Sequence, residues 1–409
     1  MNRNIVVGIN LGDFGSTGTI MRNALEYANS HGNFDYLVFV PKSNGKPNTF
    51  AYFERNTLFD KFDRRFFHKS LGNPDGFFEY RATKRIINKI KWLSKRYDNI
   101  IIHLHNLHMA YIDFRLLFPF LAKCRKVNKI FYTIHDSWPY TGGCYSYTFV
   151  GCDKWKKGCK GICPEAIGNK KYSPSIMLLE KYKKTQMLKN KITLLPVSQW
   201  ISKEIDQSIL RDLNKIVIYG ETNIKAQDSK DVTLLSNLKL DNKKVILSIS
   251  AYWDPWKGAK YLYEIASKLP SDYVILVVGG KFDTSQFTNI VHVGTVPNEL
   301  LPRYYSIADV YVSTSQSESL GLTTCEAQIC GVPVVAFGHA GVKETFNSKT
   351  GVLVGEDNDV NKMVEAIRFV VESKPFLKTD IINNGLKFKK YSSSKKYFSL
   401  YCKSLEESA

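Results

Sequence analysis

The chain has 409 residues, too long for one ordinary domain, so two domains with a core each are the expectation. Hydrophobic residues at 44% and aromatics at 13% exclude a mainly disordered chain, and no apolar run approaches the ~18 residues that a membrane span needs. Lys+Arg outnumber Asp+Glu 57 to 38, and unevenly: 36 against 18 up to Lys225 but 21 against 20 beyond it, which points to an anionic partner for the first half.

The apolar run near Met1 is too short for a signal peptide and reads as a first strand, which puts the protein in the cytoplasm with its eight cysteines reduced. Gly12-Asp13-Phe14-Gly15-Ser16-Thr17-Gly18 then turns into a helix. No lysine follows Gly18, which excludes a P-loop, and the glycine spacing is not the dinucleotide one. Further strands are expected at 36–40, 100–103, 129–134 and 192–197. Basic residues interleave with aromatics over 61–69 and again over 84–96, where Ile86, Ile90 and Leu93 share one helical face and Lys84, Lys91 and Lys95 another. That pattern fits a solvated surface helix or a dock for an anionic membrane. Nucleic acid is not expected, because no recognisable binding motif accompanies the charge.

His103-Leu104-His105-Asn106-Leu107-His108 and Thr133-Ile134-His135-Asp136-Ser137-Trp138 each close an apolar strand, at the edge where open parallel sheets place ligands. Histidines two apart on a strand end fit hydrogen bonding at a cleft better than metal ligation. Cys144, Cys152, Cys159 and Cys163 lie in a turn-rich insert, 142–165. Structural zinc, free or redox thiols, and disulfides are the chemistries open to them, and their spacing is not a common two-pair zinc pattern.

The polar stretch 220–242 reads as a linker. A second alternation follows, with strands at 245–250, 274–278, 290–293, 310–313 and 332–336. Two strand–helix series imply an α/β protein of two doubly wound domains, each a parallel sheet covered on both faces. Asp357-Asn358-Asp359 follows a strand at 351–354 and reads as a helix cap, not a catalytic metal site. The last segment, 388–405, has helical spacing.

Two runs in the second half carry the chemistry. Tyr252-Trp253-Asp254-Pro255-Trp256-Lys257-Gly258 leaves the strand 245–250. Val310-Tyr311-Val312-Ser313-Thr314-Ser315-Gln316-Ser317-Glu318-Ser319-Leu320-Gly321-Leu322 passes from strand through polar loop to a helix carrying Glu326. A helix that begins at a glycine after a strand offers free N–H groups and a positive dipole end to a phosphate. Glu326 can accept from a ribose diol, and Glu318 can hold a sugar hydroxyl.

This second run resembles the paired-glutamate signature of retaining glycosyltransferases of family four. Glu318 and Glu326 stand at its spacing, and Gly331-Val332-Pro333-Val334-Val335 and Gly341-Val342-Lys343-Glu344 follow in its order. The resemblance implies a GT-B fold of two Rossmann-like domains facing a cleft: 1–225 on the acceptor side, 226–384 for the nucleotide sugar, and a last helix, 385–409, crossing back to the first. It implies that Lys257 reaches the donor diphosphate, that Gly321 and Leu322 open the phosphate-side helix, and that the base stacks near Gly279 and Thr295. It also implies that His135 orients the sugar and stabilises charge, that Gly15 and Gly18 face the donor, and that His105 and Asp136 serve the acceptor side. His135, Lys257 and Glu318 are then the catalytic candidates. The family usually has an arginine where this chain has Tyr252.

A similar Trp-Pro…Gly-Gly-Cys insert occurs in a subgroup building exopolysaccharides that resemble colanic acid; here it is Trp138-Pro139 and Gly142-Gly143-Cys144. The implied activity is retaining hexosyl transfer from a UDP- or GDP-sugar to a lipid-linked bacterial surface glycan. It would take place in the cytoplasm, peripheral to the inner face of the membrane, with no catalytic metal. The alternatives are a nucleotide-sugar epimerase or inverting transferase on the same fold, and a non-catalytic basic protein that binds membrane or nucleic acid.

Overall fold

The computed structural model describes residues 3–53, 80–108, 112–164 and 173–407; the expected basic-aromatic stretch 61–69 lies outside them. The chain divides into two units, residues 1–219 with 391–409, and residues 220–390. Among the described residues no helix is long and apolar enough to cross a membrane.

The first unit is built on β1 (Asn4–Ile9), β2 (Phe34–Val40), β3 (Thr49–Ala51), β4 (Asn99–Leu104), β5 (Val127–Ile134) and β6 (Ile192–Pro196). Its helices in this part of the chain are α1 (Gly15–His31), α2 (Tyr80–Leu93), α3 (Phe114–Lys123), α4 (Pro174–Gln186) and α5 (Gln199–Asp206). All strand pairs are parallel, in the order β3-β2-β1-β4-β5-β6. Central strands of such a sheet are covered on both faces, which is why β1 and β4 read as unbroken apolar runs. From β1 the chain winds outward to β2 and β3, then returns to lay β4 on the other side of β1. The C-terminal ends of β1 and β4 therefore form the topological switch point, where open α/β sheets bind ligands. The short edge strand β3 is absent from the sequence expectation: Thr49-Phe50-Ala51 carries no periodic signal, and only pairing with β2 makes it a strand.

The second unit repeats the plan with α6 (Val232–Asn237), β7 (Lys244–Ser250), α7 (Ala259–Lys268), β8 (Tyr273–Gly279), β9 (Ile290–His292), α8 (Leu301–Ile307), β10 (Val310–Ser313) and α9 (Leu322–Ile329). β11 (Val334–Phe337), β12 (Gly351–Val354), α10 (Val360–Ser373) and α11 (Lys378–Gly385) complete it. The strand order is β12-β11-β10-β7-β8-β9, all parallel, so its switch point lies between β7 and β10. Alternate residues feed two core layers: Ile246, Ile275, Val277 and Val312 pack with α7 and α10, while Val245, Leu247, Val274 and Leu276 pack with α6 and α8. Each such aliphatic side chain, once buried, contributes roughly 1.5–3 kcal/mol.

Three boundaries differ from expectation. β11 begins at Val334, because Val332 still closes α9 by donating its N–H to Ala327 O at 2.9 Å. The stretch 220–242 is no free linker: Asp231 caps α6 by accepting from Leu234 N, Leu234 and Leu235 enter the core, and Thr222 N bonds Phe388 O at 2.9 Å. The division of the chain falls after Tyr219 rather than Lys225. The terminal helix is broken by a 3-10 turn at Leu386–Phe388 and by Tyr391, at φ +70°, before α12 (Ser392–Glu406) starts. α12 packs on α1, with Phe398 against Tyr27 and Phe34 and so close to Gly32 that a Cβ there would lie 2.7 Å from its ring.

Candidate functional site

At the switch point of the second unit, β7 runs into a 3-10 turn, Pro255–Lys257, then Gly258 and α7. Gly258 sits at φ +75°, and any Cβ there would lie 2.2 Å from Thr314 O, so only glycine lets the two loops touch. They are stitched together: Thr314 Oγ1 donates to Lys257 O at 3.0 Å and Gln316 N to Trp256 O at 2.8 Å. That holds Lys257 Nζ against Glu318 Oε1 at 2.5 Å, with 26% and 18% of the two side chains exposed. Gly341 N donates to Glu318 O at 2.9 Å, and a Cβ on Gly341 would meet Ser319 O at 2.0 Å, so the segment before the next strand also clamps this loop.

Past Glu318 the chain turns at Gly321, φ +91°, into α9, whose first N–H groups have no intrahelical acceptor. One and a half turns on, Glu326 is half-buried, its Oε1 accepting from Thr222 Oγ1 at 2.7 Å and its Oε2 from Tyr305 Oη at 3.1 Å. Burial raises its carboxyl above the ordinary range, against the lowering effect of those two hydrogen bonds. Each carboxylate oxygen keeps a second lone pair for an outside donor. Burial pushes the Tyr311 phenol upward, and the charges of Glu318 and Glu326 add to that shift. Trp253 Nε1 and Gln316 Oε1 lie buried in the same loops with no hydrogen-bond partner among the described residues. Buried polar atoms of this kind are normally satisfied, by ligand or water if not by protein. Tyr252, where the family has arginine, is 74% exposed. Asp359 does cap α10, accepting from Asn361 N and Lys362 N.

The first unit places Gly15, at φ +66° with open space around it, on the exposed turn after β1. Gly18 is buried in the first turn of α1, where a Cβ would lie 2.7 Å from Gly12 O, so the turn before the helix packs on it too closely for a side chain. Asn10 ties the switch point, donating to Gly12 O at 2.7 Å and accepting from Asn106 N at 3.0 Å. Beyond it the histidines form a layer. His103 bonds Tyr401 Oη of α12 at 2.5 Å and Thr133 Oγ1 at 2.8 Å; His105 Nδ1 shares a hydrogen bond with His135 Nε2 at 2.9 Å; His108 Nε2 meets Asp136 Oδ2 at 3.1 Å.

Burial lowers His103 to about 3 and His135 to about 4, and takes His105 well below the usual value, so all three are neutral near pH 7. For Asp136, burial works upward, but His108 and the Trp138 N–H outweigh it and the net shift is down. His105, expected to face an acceptor, is instead fully buried behind His135. A strand-end residue facing the core and one facing the ligand edge look alike in sequence.

The four insert cysteines are free thiols, and among the described residues no group of three or more His, Cys, Asp or Glu stands where it could hold a metal ion. The expected zinc ligand set of Cys144, Cys152, Cys159 and Cys163 is therefore not assembled. Burial first, with the neighbouring Cys152 and Cys163 adding to it, pushes the Cys159 thiol up to about 11. The insert is held by packing: Trp155 is fully buried against Tyr140 and Tyr147, Tyr147 bonds Glu204 of α5, and buried Lys181 donates to Trp138 O and Thr141 O. Sequence reading missed Thr222, taken as linker, and Gln316. Neither carries a local signal, and both matter only through what the fold sets beside them.

Residues 233–388 match the family described as glycosyl transferases group 1. An uncharacterised 41.2 kDa protein in the cps region of Klebsiella pneumoniae is 27% identical over 90% of this chain and 95% of its own. A putative colanic acid biosynthesis glycosyl transferase of Escherichia coli is 23% identical over 70% of each chain. The crystal structure of Anabaena HepE in complex with UDP and glucose superposes with a TM-score of 0.62 at 14% identity, covering 98% of this chain and 100% of that one. With its two parallel six-stranded sheets the chain has the GT-B fold of these structures, and residues 233–388 carry a group 1 glycosyltransferase domain of the family-four type.

Proposed function

We propose that this protein is a glycosyltransferase that moves a hexosyl group, with retention, from a nucleoside diphosphate sugar to a lipid-linked surface glycan during exopolysaccharide, capsule or O-antigen synthesis. We place it in the cytoplasm, at the inner face of the membrane. The observation that carries the reading is the meeting of Lys257 with Glu318 at the β7–β10 switch point, with the N-terminus of α9 directly beyond. The names of the Klebsiella and Escherichia relatives support the pathway class, and the UDP and glucose bound by HepE support the donor class.

In this reading Lys257 Nζ and the N–H groups of Leu322 and Thr323 receive the diphosphate, whose negative charge grows as the bond from C1 to the phosphate oxygen breaks. One preorganised donor at such a position is worth about 10²–10³ in rate. The acceptor hydroxyl attacks C1 from the face the diphosphate leaves, and its proton passes to the departing phosphate oxygen, so no carboxylate base is required. Glu318 holds hydroxyls of the transferred sugar, and Glu326, aimed by Thr222 and Tyr305, holds the ribose diol. His135 orients the sugar and Asp136 serves the acceptor side.

The test is a panel of UDP- and GDP-sugars, read as protection against thermal unfolding and as slow hydrolysis, with the product's anomeric configuration determined by NMR. One donor should protect and turn over with retention. Protection by none of them, or an inverted product, would refute the proposal.

A further inference from the structure

We infer that the outer face of α2, α3 and α4 is a docking surface for an anionic lipid bilayer. The three helices form one layer, α2 packing on α3 and α3 on α4. α2 buries Ala82, Ile86, Ile90 and Leu93, which leaves Lys84, Lys91 and Lys95 outward; between Tyr80 and Tyr97 there are seven Lys and Arg and no carboxylate. Trp92 lies among these charges, 44% exposed, with Lys89 and Arg96 over its ring at 4.0 and 3.6 Å. α4 supplies the second ingredient. It buries Pro174, Met177, Leu178, Lys181 and Thr185, so Ile176 and Leu179, 57% and 50% exposed, share an outward stripe with Lys183. Among the described residues these two aliphatic side chains are left exposed.

Exposed aliphatic and indole groups set among lysines suit the boundary between head groups and acyl chains, where the apolar parts are buried and the ammonium groups reach phosphate. A nucleic acid or other soluble polyanion would reward only the charge and leave Ile176 and Leu179 in water. The surface also gives the first half's charge excess a place and a partner. It contains no residue assigned to sugar transfer, so it can fail while the transferase reading stands.

The experiment is co-sedimentation of the full chain with vesicles of phosphatidylcholine alone and with about a third phosphatidylglycerol, at low and physiological salt. Binding to the anionic vesicles only, weakened by salt, is expected. The Lys84→Glu/Lys91→Glu/Lys95→Glu variant should lose at least ~tenfold in affinity, since each basic residue near such a surface is worth about fivefold. Ile176→Ser/Leu179→Ser should lose about tenfold with little salt dependence. All five positions are exposed, and thermal unfolding checks that each variant is folded. No binding to either vesicle, equal binding to both, or an unchanged lysine variant would overturn the inference. So would an unchanged Ile176/Leu179 variant, or a soluble polyanion that binds and is not displaced by anionic vesicles.

Discussion

Replacing Lys257 by methionine separates what the Lys257–Glu318 pair does for stability from what the ammonium does for transfer. At 2.5 Å and an effective dielectric of ~20 the gross attraction is about 7 kcal/mol. Desolvation of two side chains that stay 26% and 18% exposed takes back most of it. Fully exposed pairs return about 0.2–1 kcal/mol, and breaking a buried pair costs about 3–5 kcal/mol. This pair lies between those limits, so a double-mutant cycle of Lys257→Met with Glu318→Gln in denaturant unfolding should give a coupling of about 1–2 kcal/mol. Transfer should respond far more strongly. Loss of one cation from the developing diphosphate charge lowers kcat by about 10²–10³, equivalent to roughly 2.7–4 kcal/mol. Glu318→Gln should change the stability cycle in the same way but fall short of that loss in kcat, because it leaves the ammonium in place. If Lys257→Met keeps kcat within about threefold while losing the coupling energy, Lys257 is a structural partner of Glu318 and the phosphate assignment is wrong.

Other consequences can be measured directly. Since His103 and His135 fall to about 3 and about 4 from an unfolded value near 6.5, the unfolded chain binds more protons between those limits. Their contribution is fully present above pH ~6.5 and is lost as pH falls toward 4, at up to ~1.4 kcal/mol per pH unit for each histidine; a flat unfolding free energy from pH 7 to 5 would refute it. Glu326→Gln should raise the donor KM about tenfold with a smaller change in kcat, and Tyr305→Phe about threefold; an unchanged donor KM in both removes Glu326 from the nucleotide. Gly258→Ala must adopt a left-handed conformation and push Thr314 O away, which should cost about 2–4 kcal/mol in denaturant unfolding; a loss under 0.5 kcal/mol would mean that the two loops are not locked together.

The sequence by itself determined the strands of both sheets, apart from β3, and the loops that close β7 and β10. Strands buried on two faces are continuous Val/Ile/Leu runs, and backbones that approach each other as Gly258 and Thr314 do admit only glycine, so both leave marks in the letters. Lys257, Glu318 and Glu326 were singled out by the resemblance of their two loops to a family signature, and both loops leave the end of an apolar strand. Only the tertiary structure decided which side chains stand behind them. Thr222 lies about a hundred positions from Glu326, and Tyr401 nearly three hundred from His103, yet each is hydrogen-bonded to its partner. His105 and His135 differ in exposure although both end apolar strands, and among the described residues the insert cysteines are not gathered into a metal-binding group. Periodicity reports what one segment needs from its surroundings. Hydrogen bonds between distant segments depend on where the fold carries each one, and no local pattern encodes that.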